Sequence, residues 1–130
     1  EAGKVCYMAS KPKSAKGKYK RRGDIWALVT HRPNEKSNNV VSIITGYPYK
    51  ENSEVNIAIG SSKFIMFTVG QRAWNRDEKS DEIMVRSMIR GASMIVKGTS
   101  QRGTLTTDSY SLNGFTAAHR IISQACKVNK

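Results

Sequence analysis

Few residues in this chain of 130 could take part in acid–base, nucleophilic or metal chemistry. The two histidines, His31 and His119, stand far apart, and neither accompanies a nucleophile elbow or a Cys-His signature. The two cysteines lack C-x-x-C spacing, so a zinc site is not indicated. We therefore predict no catalytic residue, no metal site and no cofactor, and we expect His119 on the solvent side of a C-terminal helix.

Two further patterns resemble enzyme sites but have simpler explanations. Residues 98–104 (GTSQRGT) are similar to a phosphate-binding loop, yet no lysine follows the second glycine and the segment joins two predicted strands. The acidic pairs at 77–78 and 81–82 match glycosidase carboxylates only in number. They lie at the start of a predicted helix, where negative charge complements the helix dipole. We therefore predict that the chain is not an enzyme.

The strongest candidate for a binding site is a basic segment, residues 11–22, in which seven of twelve residues are Lys or Arg and none is acidic. Its Pro, Gly and Ser residues predict a loop. Such runs bind nucleic acids or heparin-like glycans, although a merely solvated loop has the same composition. Nucleic acid is the less favoured ligand because no stacking motif or recognition helix is present. The candidate anion-binding residues are Lys11, Lys13, Lys16, Lys18, Lys20, Arg21 and Arg22.

The chain as a whole is strongly basic, with a net charge of +12 and an isoelectric point near 10.0. This charge favours anionic partners such as acidic lipids, sulfated glycans or nucleic acid. A lysine-rich composition that serves only solubility would produce the same excess. The sequence contains no apolar stretch of about eighteen residues, so we predict no transmembrane helix. Because the chain begins at Glu1 without a methionine, we expect a processed or trimmed product, and the lack of a signal peptide says nothing about export.

Cys6 and Cys126 stand near the two ends of the chain, with no cysteine between them. Two unrelated free thiols are one interpretation. An even number, one near each terminus, also suits a single bridge between the first strand and the last helix. Such a bridge persists in the periplasm or outside the cell. We predict the disulfide Cys6–Cys126.

The hydrophobic pattern predicts many short strands, with helices only late in the chain. Apolar helical spacing predicts amphipathic helices at about 80–90 and 114–126. We expect a single domain, residues 1–130, that is mostly β: a β-sandwich with these helices at its periphery and with Trp26 and Trp74 in its core. Strands are predicted at residues 4–10, 25–31, 40–45, 55–59, 63–69, 93–99 and 105–112, of which 55–69 and 93–112 form hairpins.

Several motifs that follow one another from about Val5 to Cys126 resemble those of a known family. The chain is similar to the invasion-associated locus B family of alphaproteobacterial exported proteins. The pieces K-G-T-S-x-R-G-T and Y-S-L-x-G-F are specific in combination. The matching segments are Arg32-Pro33-x-Glu35-Lys36, Asn39-Val40-Val41-Ser42, Gly46-Tyr47-Pro48-Tyr49-Lys50-Glu51, 64–68, Ala73-Trp74, 97–104 and 107–115.

The resemblance implies an immunoglobulin-like β-sandwich. It implies an N-terminal signal peptide that has been removed, and residence in the periplasm, at the outer membrane or outside the cell. It also implies a contribution to host-cell invasion, chiefly of erythrocytes, and it offers no catalytic residues to transfer. Members usually begin with a Gly-Asp-Trp-type strand before the first cysteine, so we expect an edge strand to be missing before residue 1.

We interpret the protein as a non-enzymatic virulence protein of the envelope. In this interpretation it is an adhesin-like binder of an anionic host-surface or envelope component, glycan or lipid, or it supports envelope integrity. The alternative is an anion-binding module that uses residues 11–22 to bind a glycan or nucleic acid.

Overall fold

The computed structural model describes residues 3–128, which form a mostly β fold of nine antiparallel strands and two helices. All nine strands belong to one sheet, in the order β1-β3-β4-β7-β6-β5-β8-β9-β2. The predicted mostly β, sandwich-like fold class is confirmed. In chain order the elements are β1 Cys6–Ser10, β2 Ser14–Gly17, β3 Trp26–Arg32, a 3-10 turn Pro33–Glu35, β4 Ser37–Ile44, β5 Glu54–Ile59, β6 Ser62–Val69, β7 Arg72–Trp74, α1 Glu78–Arg90, β8 Ser93–Thr99, β9 Leu105–Ser111 and α2 Phe115–Ala125.

The sheet curls strongly because of how its first two strands are connected. Only residues 11–13 join β1 to β2, yet these strands form the two opposite edges of the nine-stranded sheet. The four residue steps from Ser10 to Ser14 span at most about 14 Å, so the two edges must come close together. Strand β1 forms one edge, where it pairs with β3, and β2 forms the other edge, where it pairs with β9.

The core lies on the inner face of this curled sheet. Along β5, Val55, Ile57 and Ile59 are buried while their neighbours point outward, as the two-residue period of a strand requires. Helix α1 packs against β4, and α2 packs against β1 and β3. Met84 and Met88 of α1 belong to the same core as the strand residues. Within residues 3–128 no helix is long and apolar enough to cross a membrane.

Most predicted elements are present, with two additional strands. The hairpin β5–β6 turns through Gly60 and Ser61, and β8–β9 form the second hairpin, as predicted. Strands β2 and β7, of four and three residues, were not predicted. The expectation that Trp26 and Trp74 lie in the core is wrong: both are half-buried. Ala27, Val29 and His31 face inward from β3 and Ala73 faces inward from β7, so the alternating tryptophans face outward.

The predicted disulfide is confirmed. Cys6 on β1 is bonded to Cys126, directly after α2, with 6.1 Å between their Cα atoms. Both cysteines are buried. The bond therefore fastens the last helix to the edge strand on which it packs.

Candidate anion-binding site

The basic segment, residues 11–22, is more ordered than a loop. Four of its residues form β2, which pairs with β9 from Ser14 opposite Ser109 to Gly17 opposite Thr106. A Cβ atom at Gly17 would lie only 2.8 Å from the carbonyl oxygen of Leu105, so glycine permits this close approach. The Pro, Gly and Ser residues of the segment predict a loop, and that prediction is wrong for residues 14–17. The open edge of β9 supplies hydrogen-bond partners for the backbone of β2. The side chains of residues 11–22 do not indicate this pairing.

Six of the seven predicted basic residues are exposed. Lys11, Lys13, Lys16, Lys18, Lys20 and Arg21 all present their side chains to solvent, and the ammonium group of Lys11 lies 5.1 Å from the ring centre of Trp26. Arg22 differs, because only 3% of its side chain is exposed. Its charge is therefore not available to an external anion in the way that the sequence suggested.

Arg22 is held by a dense set of contacts. Its Nη1 and Nη2 atoms donate to the two carboxylate oxygens of Asp108 at 2.8 and 2.6 Å, and Nε donates to the carbonyl oxygen of Thr45 at 2.8 Å. Burial alone would lower the pKa of Arg22, but the hydrogen bonds and charge of Asp108, aided by Tyr19, raise it above its ordinary value. Arg22 therefore remains charged and anchors the end of the basic segment.

Two tyrosines enclose this guanidinium. Its central carbon lies 5.3 Å from the ring centre of Tyr19 and 4.9 Å from that of Tyr47, a cation–π arrangement on each side. The hydroxyl groups of Tyr47 and Thr106 are 2.6 Å apart and share a hydrogen bond. These rings are occupied by Arg22 and form part of the wall of the site.

Two glycines fix the segment that follows. The amide of Gly23 donates to the carbonyl oxygen of Gly46 at 2.8 Å. A Cβ atom at position 46 would lie 2.5 Å from the carbonyl oxygen of Gly23, and Gly46 has φ +83°. Only glycine fits at position 46 without strain. The basic segment and the loop after β4 are thus joined in a defined geometry.

Together these segments line an open groove of about 1020 Å³. Its walls come from residues 18–23, 46–48 and 100–106, and none of its lining residues is a carboxylate. It gathers Lys18, Lys20 and Arg21 from the predicted set and adds Arg102, from the turn between β8 and β9. Lys11, Lys13 and Lys16 lie outside it. We call this cavity the basic groove; its cations and hydroxyl groups suit the binding of an anion.

Arg102 was not predicted as a binding residue. It belongs to the segment 98–104, which was set aside because it joins two strands and does not open a helix. The same hairpin places Arg102 beside residues distant in sequence. A basic residue in a Gly-containing turn is a weak signal, and only the pairing of β2 with β9 brings it to the basic segment.

The two histidines form a second polar cluster, inside the molecule. His31 and His119 are 0% and 1% exposed, so the expectation of a solvated His119 is wrong. Asn39 connects them: its backbone amide donates to Nδ1 of His31 at 3.0 Å, and its side-chain oxygen is 2.7 Å from Nε2 of His119. Nε2 of His31 lies 3.1 Å from the hydroxyl oxygen of Ser123. Burial lowers the pKa of His31.

Across residues 3–128, no three His, Cys, Asp or Glu side chains are grouped so as to hold a metal ion. The histidines instead use their ring nitrogens for hydrogen bonds that hold α2 against β3 and β4. Their arrangement is explained by packing.

Fold and site together define a small, disulfide-bridged, mostly β protein with a cationic surface groove. The chain belongs to the family described as Invasion associated locus B (IalB) protein, whose family model matches residues 1–123. The resemblance seen in the sequence motifs is thereby confirmed. Members of this family are exported, invasion-associated bacterial proteins. Comparison with curated proteins and with solved structures gives no match.

Proposed function

We propose that this protein is a non-enzymatic, adhesin-like binder that supports host-cell invasion, including invasion of erythrocytes, by holding an acidic glycan in the basic groove. Family membership supports the invasion role. The observation that carries the binding role is the groove itself, in which Lys18, Lys20, Arg21 and Arg102 surround a cavity with no carboxylate in its lining. We expect the protein to act in the periplasm, at the outer membrane or outside the cell, where its disulfide persists.

The chemistry of the lining favours a glycan over a nucleic acid. Single-stranded nucleic acids are held by bases that stack on free aromatic rings. The rings of Tyr19 and Tyr47 instead pack on Arg22. The remaining lining side chains include the hydroxyl groups of Ser100 and Thr104, which suit the hydroxyl and acidic groups of a sugar chain.

The absence of an enzymatic role is also part of the proposal. The groove lining contains no His, Cys, Asp or Glu that could serve as a general acid or base. Binding by fixed positive charges and hydroxyl groups requires none of these. A role in envelope integrity, the other invasion-related possibility, would not require the groove, and the experiment below separates the two.

The test compares two variants of equal net charge. In the groove variant, Lys18, Lys20, Arg21 and Arg102 are replaced with Gln. The matched control variant carries Gln at four exposed cations elsewhere, Lys36, Arg76, Lys79 and Arg86. We expect the groove variant to elute from heparin at clearly lower salt than the control variant and to lose binding to erythrocytes, because only its cations converge on one site.

Each outcome has a definite meaning. Equal loss in both variants would show that the charge acts only as a general field, and it would contradict the groove as a binding site. Normal erythrocyte binding by the groove variant, with reduced bacterial envelope stability, would favour envelope integrity. Tighter retention of the wild-type protein on DNA than on heparin would favour nucleic acid. The melting temperature of each variant shows whether its fold is intact.

A further inference from the structure

One outer face of the sheet concentrates apolar side chains in solvent. Of the nine large hydrophobic residues that are exposed within residues 3–128, five belong to β1, β6 or the residue before β1: Val5, Tyr7, Ile65, Phe67 and Val69. Tyr7 and Val69 are 61% and 62% exposed. Single exposed apolar residues are common, but a contiguous group marks an interaction surface.

The strand register shows that this group is contiguous. Outward-facing Trp74 on β7 lies between Ser42 on β4 and Phe67 on β6. In the next row, Arg72 lies between Ile44 and Val69, and Ile44 lies opposite Trp26 on β3. Tyr7 on β1 lies opposite Thr30. The side chains therefore form rows across β1, β3, β4, β7 and β6, and we call this surface the aromatic face.

A shallow groove of about 470 Å³ runs along the aromatic face. Smaller side chains, such as those of Ala9, Thr30 and Ser42, line it together with the larger ones of Tyr7 and Trp74. Helices α1 and α2 contribute to the core on the other side of the sheet. No helix or loop of the described chain contributes to the lining of this groove beyond Val5.

Positive charges accompany the aromatic rings. The guanidinium carbon of Arg72 lies 5.7 Å from the ring centre of Trp74, and the Lys11 ammonium lies 5.1 Å from that of Trp26. Arg32 also lines the groove, whose lining contains no carboxylate. At the border of the face, the acidic residue Glu54 on β5 lies opposite Phe67 on β6. The surface is thus apolar, aromatic and cationic.

We propose that the aromatic face docks onto the interfacial region of an anionic phospholipid bilayer. Trp and Tyr place their apolar rings at the level of lipid headgroups and keep their polar atoms hydrated. Lys and Arg beside them extend toward lipid phosphates, and each contributes to attraction by an anionic surface. This inference is independent of the basic groove and adds a second contact surface.

A second copy of the chain fits this face less well. Face-to-face pairing would bring Lys11, Arg32 and Arg72 of one copy toward the same residues of the other. The groove offers no carboxylate to compensate these charges, and like charges at an interface oppose association. An anionic bilayer supplies both the apolar layer and the opposite charge.

The experiment uses the tryptophans as probes, because the chain has only two and both lie on this face. The wild-type protein is mixed with vesicles of phosphatidylcholine alone, or of one part phosphatidylglycerol to two parts phosphatidylcholine. We expect a blue shift of tryptophan emission with the anionic vesicles, and quenching when their acyl chains are brominated near the headgroup. Phosphatidylcholine vesicles should cause little change.

A matched pair of variants connects the signal to the face. Replacing Tyr7 and Phe67 with Ser should weaken vesicle binding by about tenfold or more, because two apolar side chains leave the contact. The control replaces Leu105 and Ile121, which are 72% and 66% exposed elsewhere, with Ser and should leave binding unchanged. All four side chains are at least one-third exposed, so the fold should be retained.

Three results would overturn the proposal. They are an unshifted emission with anionic vesicles, equal vesicle binding by the face and control variants, and a lipid-free dimer whose formation shields the tryptophans from acrylamide. The groove variant (Lys18, Lys20, Arg21 and Arg102 to Gln) should bind vesicles as well as its charge-matched control does. Failure of the aromatic face and failure of the basic groove are therefore distinguishable.

Discussion

Arg22 shows how a residue's environment changes the meaning of its charge. It ends a run of exposed cations, yet its side chain is buried against Asp108, Thr45 and two tyrosines. The carboxylate that neutralises it comes from β9, 86 positions later in the chain. Nothing near Arg22 in the sequence distinguishes it from Arg21. Buried Arg22 supports the wall of the basic groove, while its neighbours Lys20 and Arg21 are exposed to solvent.

Breaking this ion pair should be costly. Asp108→Ala leaves the buried guanidinium of Arg22 without a counter-charge, so we expect a loss of about 3–5 kcal/mol in the free energy of unfolding. The double variant Arg22→Met with Asp108→Leu removes both charges and should recover most of that loss. Denaturant titration of Asp108→Ala, Arg22→Met, Asp108→Leu and the double variant measures the loss, and the last three give the coupling. A loss below about 1 kcal/mol for Asp108→Ala would indicate a water-exposed pair.

The stability of the fold should depend on the protonation of His31. Because burial lowers its pKa from the ordinary value of 6.5, the unfolded chain takes up a proton first as the pH falls. The free energy of unfolding is therefore highest above about pH 6.5 and decreases as the pH falls below that value. His31→Asn retains an acceptor for the amide of Asn39 but cannot be protonated. Its unfolding midpoint should vary less with pH than that of the wild type.

Thermal unfolding between about pH 5 and pH 7 measures the difference between these two proteins. Parallel curves would show that His31 binds protons equally well in the folded and unfolded states. The cluster lies beneath α2, so loss of stability should appear together with loss of helical signal.

At the scale of elements, α2 depends on one aromatic residue at its start. Phe115 is buried and stacks on the ring of His119, with 5.8 Å between ring centres. Phe115→Ala should lower the free energy of unfolding by about 3–5 kcal/mol, since it leaves a cavity in the core. Ile121→Ala, on the exposed side of the same helix, should change it by less than about 0.5 kcal/mol. Urea titration compares the two, and equal effects would contradict this packing.

The elements that could be predicted are those whose side chains determine them. The strands at 55–59 and 63–69 have dense apolar runs and a glycine turn between them, and β5 and β6 follow within one residue. In contrast, β2 and β7 are short strands that exist through backbone pairing with β9, β4 and β6. Composition carries no signal for such pairing, because it arises only after the partner strands are in place.

Facing directions were harder to predict than the elements themselves. Apolar helical spacing predicts that Phe115, Ala118, Ile122 and Ala125 form the buried face of α2, but Ala125 is exposed and His119 is buried. The helix packs on β1 and also contacts β3 and α1, so its buried surface is wider than one apolar stripe. The basic groove could be predicted only as a basic segment, since Arg102 reaches it through the fold.

At the scale of the whole molecule, the disulfide closes almost the entire chain. Cys6 and Cys126 are 120 residues apart, and on the chain-entropy description closing such a loop stabilises the fold by about 4–5 kcal/mol. Replacing both cysteines with Ser should lower the free energy of unfolding by about 2–5 kcal/mol. Chemical denaturation of the variant measures this. Alkylation of the unreduced protein is the control and should label neither thiol, whereas labelling of both would contradict the bridge.

The pairing of β2 with β9 determines when during biosynthesis the basic groove can form. Strand β1 can pair with β3 once the chain has been made through Arg32, but β2 has no partner until β9 appears. Arg22 likewise waits for Asp108, and Cys6 waits for Cys126. An N-terminal fragment that stops before β9 therefore carries the lysines without the surface that organises them. The basic groove can therefore assemble only after β9 has been made.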